Sequence, residues 1–356
     1  MKELGARQNA EHGRFPPISK ESTEKMCAYL NQLTKPRGSL GMLEEIAIRM
    51  AGITGKLNPT LTNKMVVVMC GDHGVVEEGV SAYPQEVTGW MMRNFASGGA
   101  AINVLARQMG AEVLVIDMGT KAEKIPGSVL NRKVRAGTSN LAREAAMSRD
   151  EAWLALRHGE EVIEDLQKRG IHLLAVGEMG IGNTTAATAI TSVLIGLPVN
   201  QCTGFGTGLT EGQRQVKVRV IEQALRHNRP DPKDPIDILA KVGGFEIAGM
   251  VGVMIGAAKA GLPIVLDGVI SSAAALLAVR MEARVQDFLF ASHLSVEPAH
   301  ALILQDLSLE PMLDAKLRLG EGSGAVLAFP LFDAAVAIVS EMSTFADMEK
   351  KEEGEW

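Results

Sequence analysis

Gly177-Glu-Met-Gly-Ile-Gly-Asn-Thr-Thr185 spaces three glycines between an apolar run and a helical stretch. Glycines let backbone N–H groups approach an anion, and a helix N-terminus favours negative charge, so this loop can cradle a phosphate. The competing reading is a tight turn whose Asn or Thr caps the helix. No GxxxxGK followed by Ser or Thr occurs in the chain, so the loop is not of the Walker type. Glu178 inside it would repel a phosphate and suits a ribose hydroxyl better.

A second loop, Arg318-Leu-Gly-Glu-Gly-Ser-Gly-Ala325, flanks Glu321 with glycines in an apolar neighbourhood. Poor solvation raises a carboxyl pKa and makes a base usable near neutral pH. The alternative is a solvated turn glutamate ahead of the last helix. Gly320 to Ala325 also fits GxGxxA, but no buried strand immediately precedes it, which argues against a dinucleotide fingerprint.

In Cys70-Gly-Asp-His-Gly74, Asp72 and His73 end an apolar run. They can polarise a substrate, bind a metal or hydrogen-bond each other, and the pattern favours the last. His293 and His300 lack HExxH spacing, so no catalytic metal is expected. Ser81, Tyr83 and Gln85 offer a mixed apolar and polar surface to an aromatic base. In Gly206–Lys217, Thr210 can cap a helix carrying Arg214 and Lys217. Lys217 either reaches a phosphate as a point charge or points to solvent.

These loops need elements to hold them. Met65–Met69, Val113–Ile116, Ile171–Val176, Pro263–Leu266 and Phe288–Ala291 are short continuous apolar runs, as expected of strands buried on both faces. Helical patterns separate them: 86–95, 99–108, 149–169 (opened by the capping box Ser148-x-x-Glu151), 183–195, 210–226, 245–260 and 271–283. Strand–helix alternation predicts an α/β fold with a parallel sheet and right-handed crossovers. Ligands then belong at the carboxyl ends of the strands, where the polar and glycine-rich motifs sit. Helices over 19–33, 42–55 and 324–342 lie outside the alternation and are expected to pack together. Residues 1–17 read as a mobile arm and 349–356 as a short charged tail.

The bulk numbers agree with a globular protein of one large domain, or one large and one small. The chain has 356 residues, 46% hydrophobic and 22% charged, with only 4% aromatic, so Ala, Val, Ile, Leu and Met must fill the core. A net charge of −6 argues against nucleic acid or an anionic membrane as partner. No apolar run is expected to span a bilayer, and the first residues lack a signal peptide's apolar stretch. Cys27, Cys70 and Cys202 show no CxxC spacing and read as free thiols in a reducing cytosol.

Lys35-Pro-Arg-Gly-Ser-Leu-Gly41, Gly71-Asp-His-Gly74, Gly177–Thr185, Gly206-Thr-Gly208, Val242-Gly-Gly-Phe-Glu246, Leu266-Asp-Gly268 and Leu319–Gly324 together resemble the nicotinate-nucleotide–dimethylbenzimidazole phosphoribosyltransferase family. The motifs keep that family's order over nearly the whole chain. The resemblance implies a Rossmann-like three-layer α/β fold with a six-stranded, mostly parallel sheet. It adds a small helical domain built from both chain ends, residues 1–60 with 324–356, beside a large nucleotide- and base-binding domain, 61–323.

The same resemblance implies a cytoplasmic, homodimeric pentosyltransferase with no cofactor. It would move phosphoribose from nicotinate mononucleotide to 5,6-dimethylbenzimidazole in cobalamin lower-ligand synthesis, with inversion at C1′. Glu321 would take the base's proton, and Glu178 would hold the ribose or support its developing positive charge. Lys217 and the backbone of Gly180, Gly182, Asn183 and Thr184 would bind the 5′-phosphate. Ser81, Tyr83, Gln85, Met179 and Leu319 would line the base pocket, with Gly206 and Gly320 also in the substrate site. Alternatives are transfer to a phenol, another benzimidazole or adenine, a non-catalytic nucleotide binder, and an NAD-dependent oxidoreductase.

Overall fold

The structure is a computed structural model that describes residues 15–206 and 208–352. Two helices come first: α1 (Lys20–Leu30), capped by the Ser19 hydroxyl, and α2 (Met42–Thr54). The main alternation is β1 (Lys64–Gly71), α3 (Glu86–Ser97), α4 (Ala101–Gln108), β2 (Ala111–Gly119), β3 (Leu130–Asn131), α5 (Arg149–Lys168) and β4 (Leu173–Met179). Helices α6 (Asn183–Ile195), α7 (Val199–Cys202), α8 (Glu211–Asn228), α9 (Pro235–Val242) and α10 (Phe245–Lys259) follow. The chain ends with β5 (Ile264–Leu266), α11 (Val269–Met281), β6 (Leu289–Ala291), α12 (Pro298–Asp306), α13 (Ser323–Glu341) and α14 (Phe345–Glu352).

The six strands form one sheet in the order β3-β2-β1-β4-β5-β6, with every pairing parallel. This is the doubly wound order. Its direction reverses between β1 and β4, and ligands bind outside the carboxyl ends at such a point. Met69 pairs with Glu178 and Cys70 with Met179, so the Asp72-His73 and Glu178 loops leave the sheet side by side. The short edge strand β3 carries too few residues to show a pattern, and only the resemblance anticipated a sixth strand. Strand β4 extends to Met179, so Glu178 sits on the sheet's end rather than in a free loop.

All eight residues of β1 are buried, which is why Met65–Cys70 are continuously apolar, while Lys64 at its start is paired with Asp333. Side chains alternate along the strand. Met69 faces α10, touching the space at Gly249, while Val66 faces Gly322 at the start of α13. Helix α10 in turn packs on α5, closely enough that a Cβ at Gly252 would strike the Leu156 carbonyl at 1.9 Å.

The two chain ends meet. Helix α2 packs on α1 and α13, the Tyr29 hydroxyl donates to the Val339 carbonyl at 3.1 Å, and Leu33 and Thr344 form a β-bridge. Helix α13 also packs on α4, β4 and β5. It is long and apolar enough by length and composition to cross a bilayer, contrary to the expectation for this sequence. Half of that stretch is buried against the elements just named, and Asp333 on it pairs with Lys64. Core packing accounts for its apolarity. The expected arm needs a similar correction. Residues 1–14 lie outside the described residues, but Phe15 is buried beneath the Arg284 guanidinium, 4.7 Å from the ring centre. Of the expected charged tail, 349–352 continue α14 and 353–356 lie outside the described residues.

Candidate active site

A cleft opens at the carboxyl ends of β4, β5 and β6. Glu178, Met179, Gly180, Asn183, Thr184, Gly206, Leu319 and Gly320 all line it. One wall is the glycine loop between β4 and α6. Gly182 is the N-cap of α6 and has no side chain to bond the first-turn amides. Asn183, which the sequence allowed as a cap, instead donates its side-chain amide to Glu178. The start of α6 thus lacks a side-chain cap, although the Asn183 and Thr185 amides bond the Gly180 and Gly182 carbonyls at 3.0 and 2.9 Å, and it keeps the positive end of its dipole. Gly182 itself is turned away from the cleft, packed toward Val76 and His73.

Lys217 is fully buried, not solvent-facing, and donates to the Thr184 hydroxyl at 2.7 Å. Burial pulls its ammonium down to about 8, and the Glu297 carboxylate works in the opposite direction. Glu297 also accepts from the Gly206 amide at 2.9 Å. A buried ammonium and a helix N-terminus thus meet at Thr184 on one side of the cleft, with the Gly206 amide held by Glu297 beside them. Such a set suits a phosphate.

Carboxylates lie close by: Glu178 lines the cleft and bonds Asn183, Glu297 stands on the Lys217 side, and Glu321 sits in the turn just beyond the cleft-lining Gly320. Glu178, at the tip of β4, is 6% exposed. Burial pushes its carboxyl up to about 8, and repulsion from Asp267, Glu246 and Glu321 adds to that, while the Asn183 hydrogen bond opposes it. At neutral pH it therefore holds its proton. Glu321 is 5% exposed, and burial raises its pKa, opposed by the Ile102 amide donating at 3.4 Å from the first turn of α4.

Glu321 takes a left-handed backbone conformation, φ 63°, between Gly320 and Gly322 at φ 84° and 85°. That conformation costs a non-glycine residue roughly 1 kcal/mol and persists where the surroundings enforce it. Gly177 makes room: a Cβ there would lie 2.5 Å from the Glu321 carbonyl group. Among the described residues, no three His, Cys, Asp or Glu side chains converge as metal ligands.

Like Gly182, the expected residues Ser81, Tyr83 and Gln85 stand apart from this cleft. Ser81 and Tyr83 form an exposed turn, the Ser81 hydroxyl accepting from the Tyr83 amide at 3.2 Å. Gln85 donates to the His73 carbonyl at 3.0 Å and accepts from Lys121 at 2.9 Å, lining a shallow groove with Trp90 and Arg93. The expected Asp72–His73 hydrogen bond does not form. Asp72 accepts from the Lys121 amide at 2.7 Å, and His73 pairs with Glu246 at 2.6 Å, both buried. Burial disfavours the charged imidazole, but the adjacent Glu246 and then Asp72 more than offset it and raise the His73 pKa.

Residues to which the sequence alone assigns no role also reach the cleft: Asp267, His293, Ser295, Glu297 and Arg318. Asp267 carried a usable signal, an acid directly after the apolar run of β5. Glu297 carried none, because folding alone brings it to Gly206.

A phosphoribosyltransferase family model matches residues 15–349 of this chain. The nicotinate-nucleotide–dimethylbenzimidazole phosphoribosyltransferase of Desulforudis audaxviator is 51% identical over 335 residues, covering 94% of this chain and 95% of that protein. The enzyme of the same name from Geobacter sulfurreducens is 50% identical, covering 93% and 94%. The crystal structure of the Thermus thermophilus enzyme of that name superposes with a TM-score of 0.88 at 45% identity, covering 93% of this chain and 99% of that one.

Proposed function

The chain belongs to the nicotinate-nucleotide–dimethylbenzimidazole phosphoribosyltransferase family, and from that premise we propose that it transfers phosphoribose from nicotinate mononucleotide to 5,6-dimethylbenzimidazole. The products are α-ribazole 5′-phosphate and nicotinate. The observation that carries the reading is the grouping of buried Lys217 on Thr184 in the first turn of α6 with Glu178, which bonds Asn183 of the same turn, and the Glu321 turn beside cleft-lining Gly320.

The nucleotide's phosphate sits against Lys217, Thr184 and the amides of the glycine loop. Its ribose then extends toward Glu178. The incoming base attacks C1′ through one ring nitrogen, on the face opposite the nicotinate. As the new C–N bond forms, the pyridinium nitrogen takes the electrons of the breaking bond and leaves as a neutral ring. The base's other nitrogen gives its proton to Glu321, which burial makes a stronger proton acceptor than an ordinary carboxylate. Glu178, once ionised, supports the positive charge that develops on the sugar.

Met179 and Leu319, which line the cleft, contact the rings in this reading. Ser81, Tyr83 and Gln85 join the base pocket in this reading only if their loop closes over the cleft or meets it in a dimer. Exposed Tyr83, Trp90 and Val104 support a homodimer, which sedimentation equilibrium tests. Three free cysteines support a cytoplasmic location.

The deciding experiment incubates the protein with nicotinate mononucleotide and a panel of benzimidazoles, purines and phenols. Mass and anomeric configuration identify the products. An α-linked ribotide of dimethylbenzimidazole is expected. Failure to release nicotinate with any base would overturn the proposal.

A further inference from the structure

Glu321 immediately precedes the N-cap of α13, which is Gly322. That N-cap has a positive φ and lies against Val66, so a Cβ there would come within 2.8 Å of the valine side chain. The helix therefore cannot carry its own capping side chain at this position. A cap normally accepts from the second and third helical amides. Here Asp267 Oδ1 accepts from those two amides, Gly324 at 2.7 Å and Ala325 at 3.2 Å. Asp267 Oδ2 accepts from the Gly322 amide at 3.1 Å, the N–H of the peptide bond that Glu321 itself begins.

Asp267 belongs to a different element. It follows the last residue of β5, is 3% exposed and lines the cleft beside Glu178. Its carboxylate supplies the missing cap from across the fold and ties the strained Glu321 turn to the end of the sheet.

We propose that Asp267 is the positioning residue for Glu321, a cap supplied by the β5 end that holds the proton acceptor in its left-handed turn. This rests on the role given to Glu321 above. The Ser323 hydroxyl bonds the Gly320 carbonyl at 2.7 Å and closes the turn locally, but it does not fix the turn relative to the sheet. Among the described residues only Asp267 does that by hydrogen bonding to the turn and helix together. A displacement of about 1 Å at a reacting group can cost about 100-fold in rate, so releasing this tie should act on turnover through Glu321.

The test is a double-mutant cycle on the full chain. Asp267→Asn keeps one acceptor oxygen and loses the charge and the second acceptor. In the wild-type background it should lower kcat by about 10- to 100-fold, with the nucleotide KM changing far less. In a Glu321→Gln background the same change should lower kcat little further, because the group it positions is already gone. Equal losses in both backgrounds would overturn the proposal and mark a general structural effect.

Should Asp267→Asn fail to fold, judged by circular dichroism, Asp267→Ser takes its place in the cycle, since its hydroxyl still accepts from a helix amide. In the wild-type protein the Gly322, Gly324 and Ala325 amides should exchange slowly with deuterium. Exchange at the unprotected rate would overturn the cap whatever the rates show. Absence of wild-type turnover would instead fault the proposed reaction and leave amide protection unchanged.

Discussion

Replacing Glu178 with Gln removes an ionisable group while keeping its size and its hydrogen bond from Asn183. In the fold, burial and three neighbouring carboxylates push the Glu178 carboxyl from its ordinary 4.5 up to about 8. The folded chain therefore keeps a proton that the unfolded chain releases. Where the folded state binds more protons, stability falls as pH rises. The penalty is absent below the unfolded pKa, grows through the interval up to the folded pKa, and levels off above it. One pH unit well inside that interval is worth about 1.4 kcal/mol and less near either pKa, so the wild type should lose roughly 3.5 kcal/mol between pH 5 and pH 8 that Glu178→Gln does not. Asp267, pushed by burial up to about 7, contributes a slope of the same sign, and because its charge repels Glu178 the difference between the two proteins reports Glu178 together with that coupling. The assay is urea unfolding of each protein at the two pH values, followed by tryptophan fluorescence. The Gln variant should match the wild type near pH 5, exceed it at pH 8, and turn over poorly at both. A stability difference that does not change with pH would refute the assignment of a proton to Glu178.

Three further outcomes are expected. Glu321→Gln should lower kcat by about 10²–10⁴-fold while nucleotide Kd stays nearly constant, measured by nicotinate release and calorimetric titration; near-normal turnover would remove Glu321 as proton acceptor. Lys217→Met keeps the buried stem and deletes the charge, so nucleotide Kd should weaken by at least about tenfold with base affinity unchanged, the ammonium–phosphate contact being worth about 1.5–3 kcal/mol. Binding the cationic pyridinium nucleotide should ionise Glu178, so calorimetry near pH 7 in buffers of different ionisation enthalpy should show proton release, and Glu178→Gln should abolish it.

The strand-and-helix frame was legible because its cause is local. A parallel sheet covered on both sides needs continuous apolar strands, and Met65–Met69 and its counterparts advertise that. The glycine loop before Asn183 and the glycine-flanked Glu321 were legible for a related reason: positive φ and close backbone approach demand glycine, and glycine spacing survives in the sequence. Helix ends were less so. The sequence pattern runs the first helix to Leu33 and starts the 271–283 helix late, whereas the chain leaves α1 at Leu30 to bridge Thr344 and begins α11 at Val269.

What tertiary structure alone decided is which groups are shut away from water, and from whom they take their charge. Lys217 carries no sequence mark separating it from an ordinary surface lysine. It is buried because α8 packs against α6, placing the ammonium on Thr184. Asp267 became the cap of a helix that begins only at Ser323 because β5 and β4 lie side by side and Gly177 lets the Glu321 turn close on them. The Glu178 pKa rises to about 8 because the fold buries it and then because Asp267, Glu246 and Glu321, far apart in the chain, all come near it. Desolvation and Coulomb repulsion depend on distance through space, and the sequence records distance only along the chain.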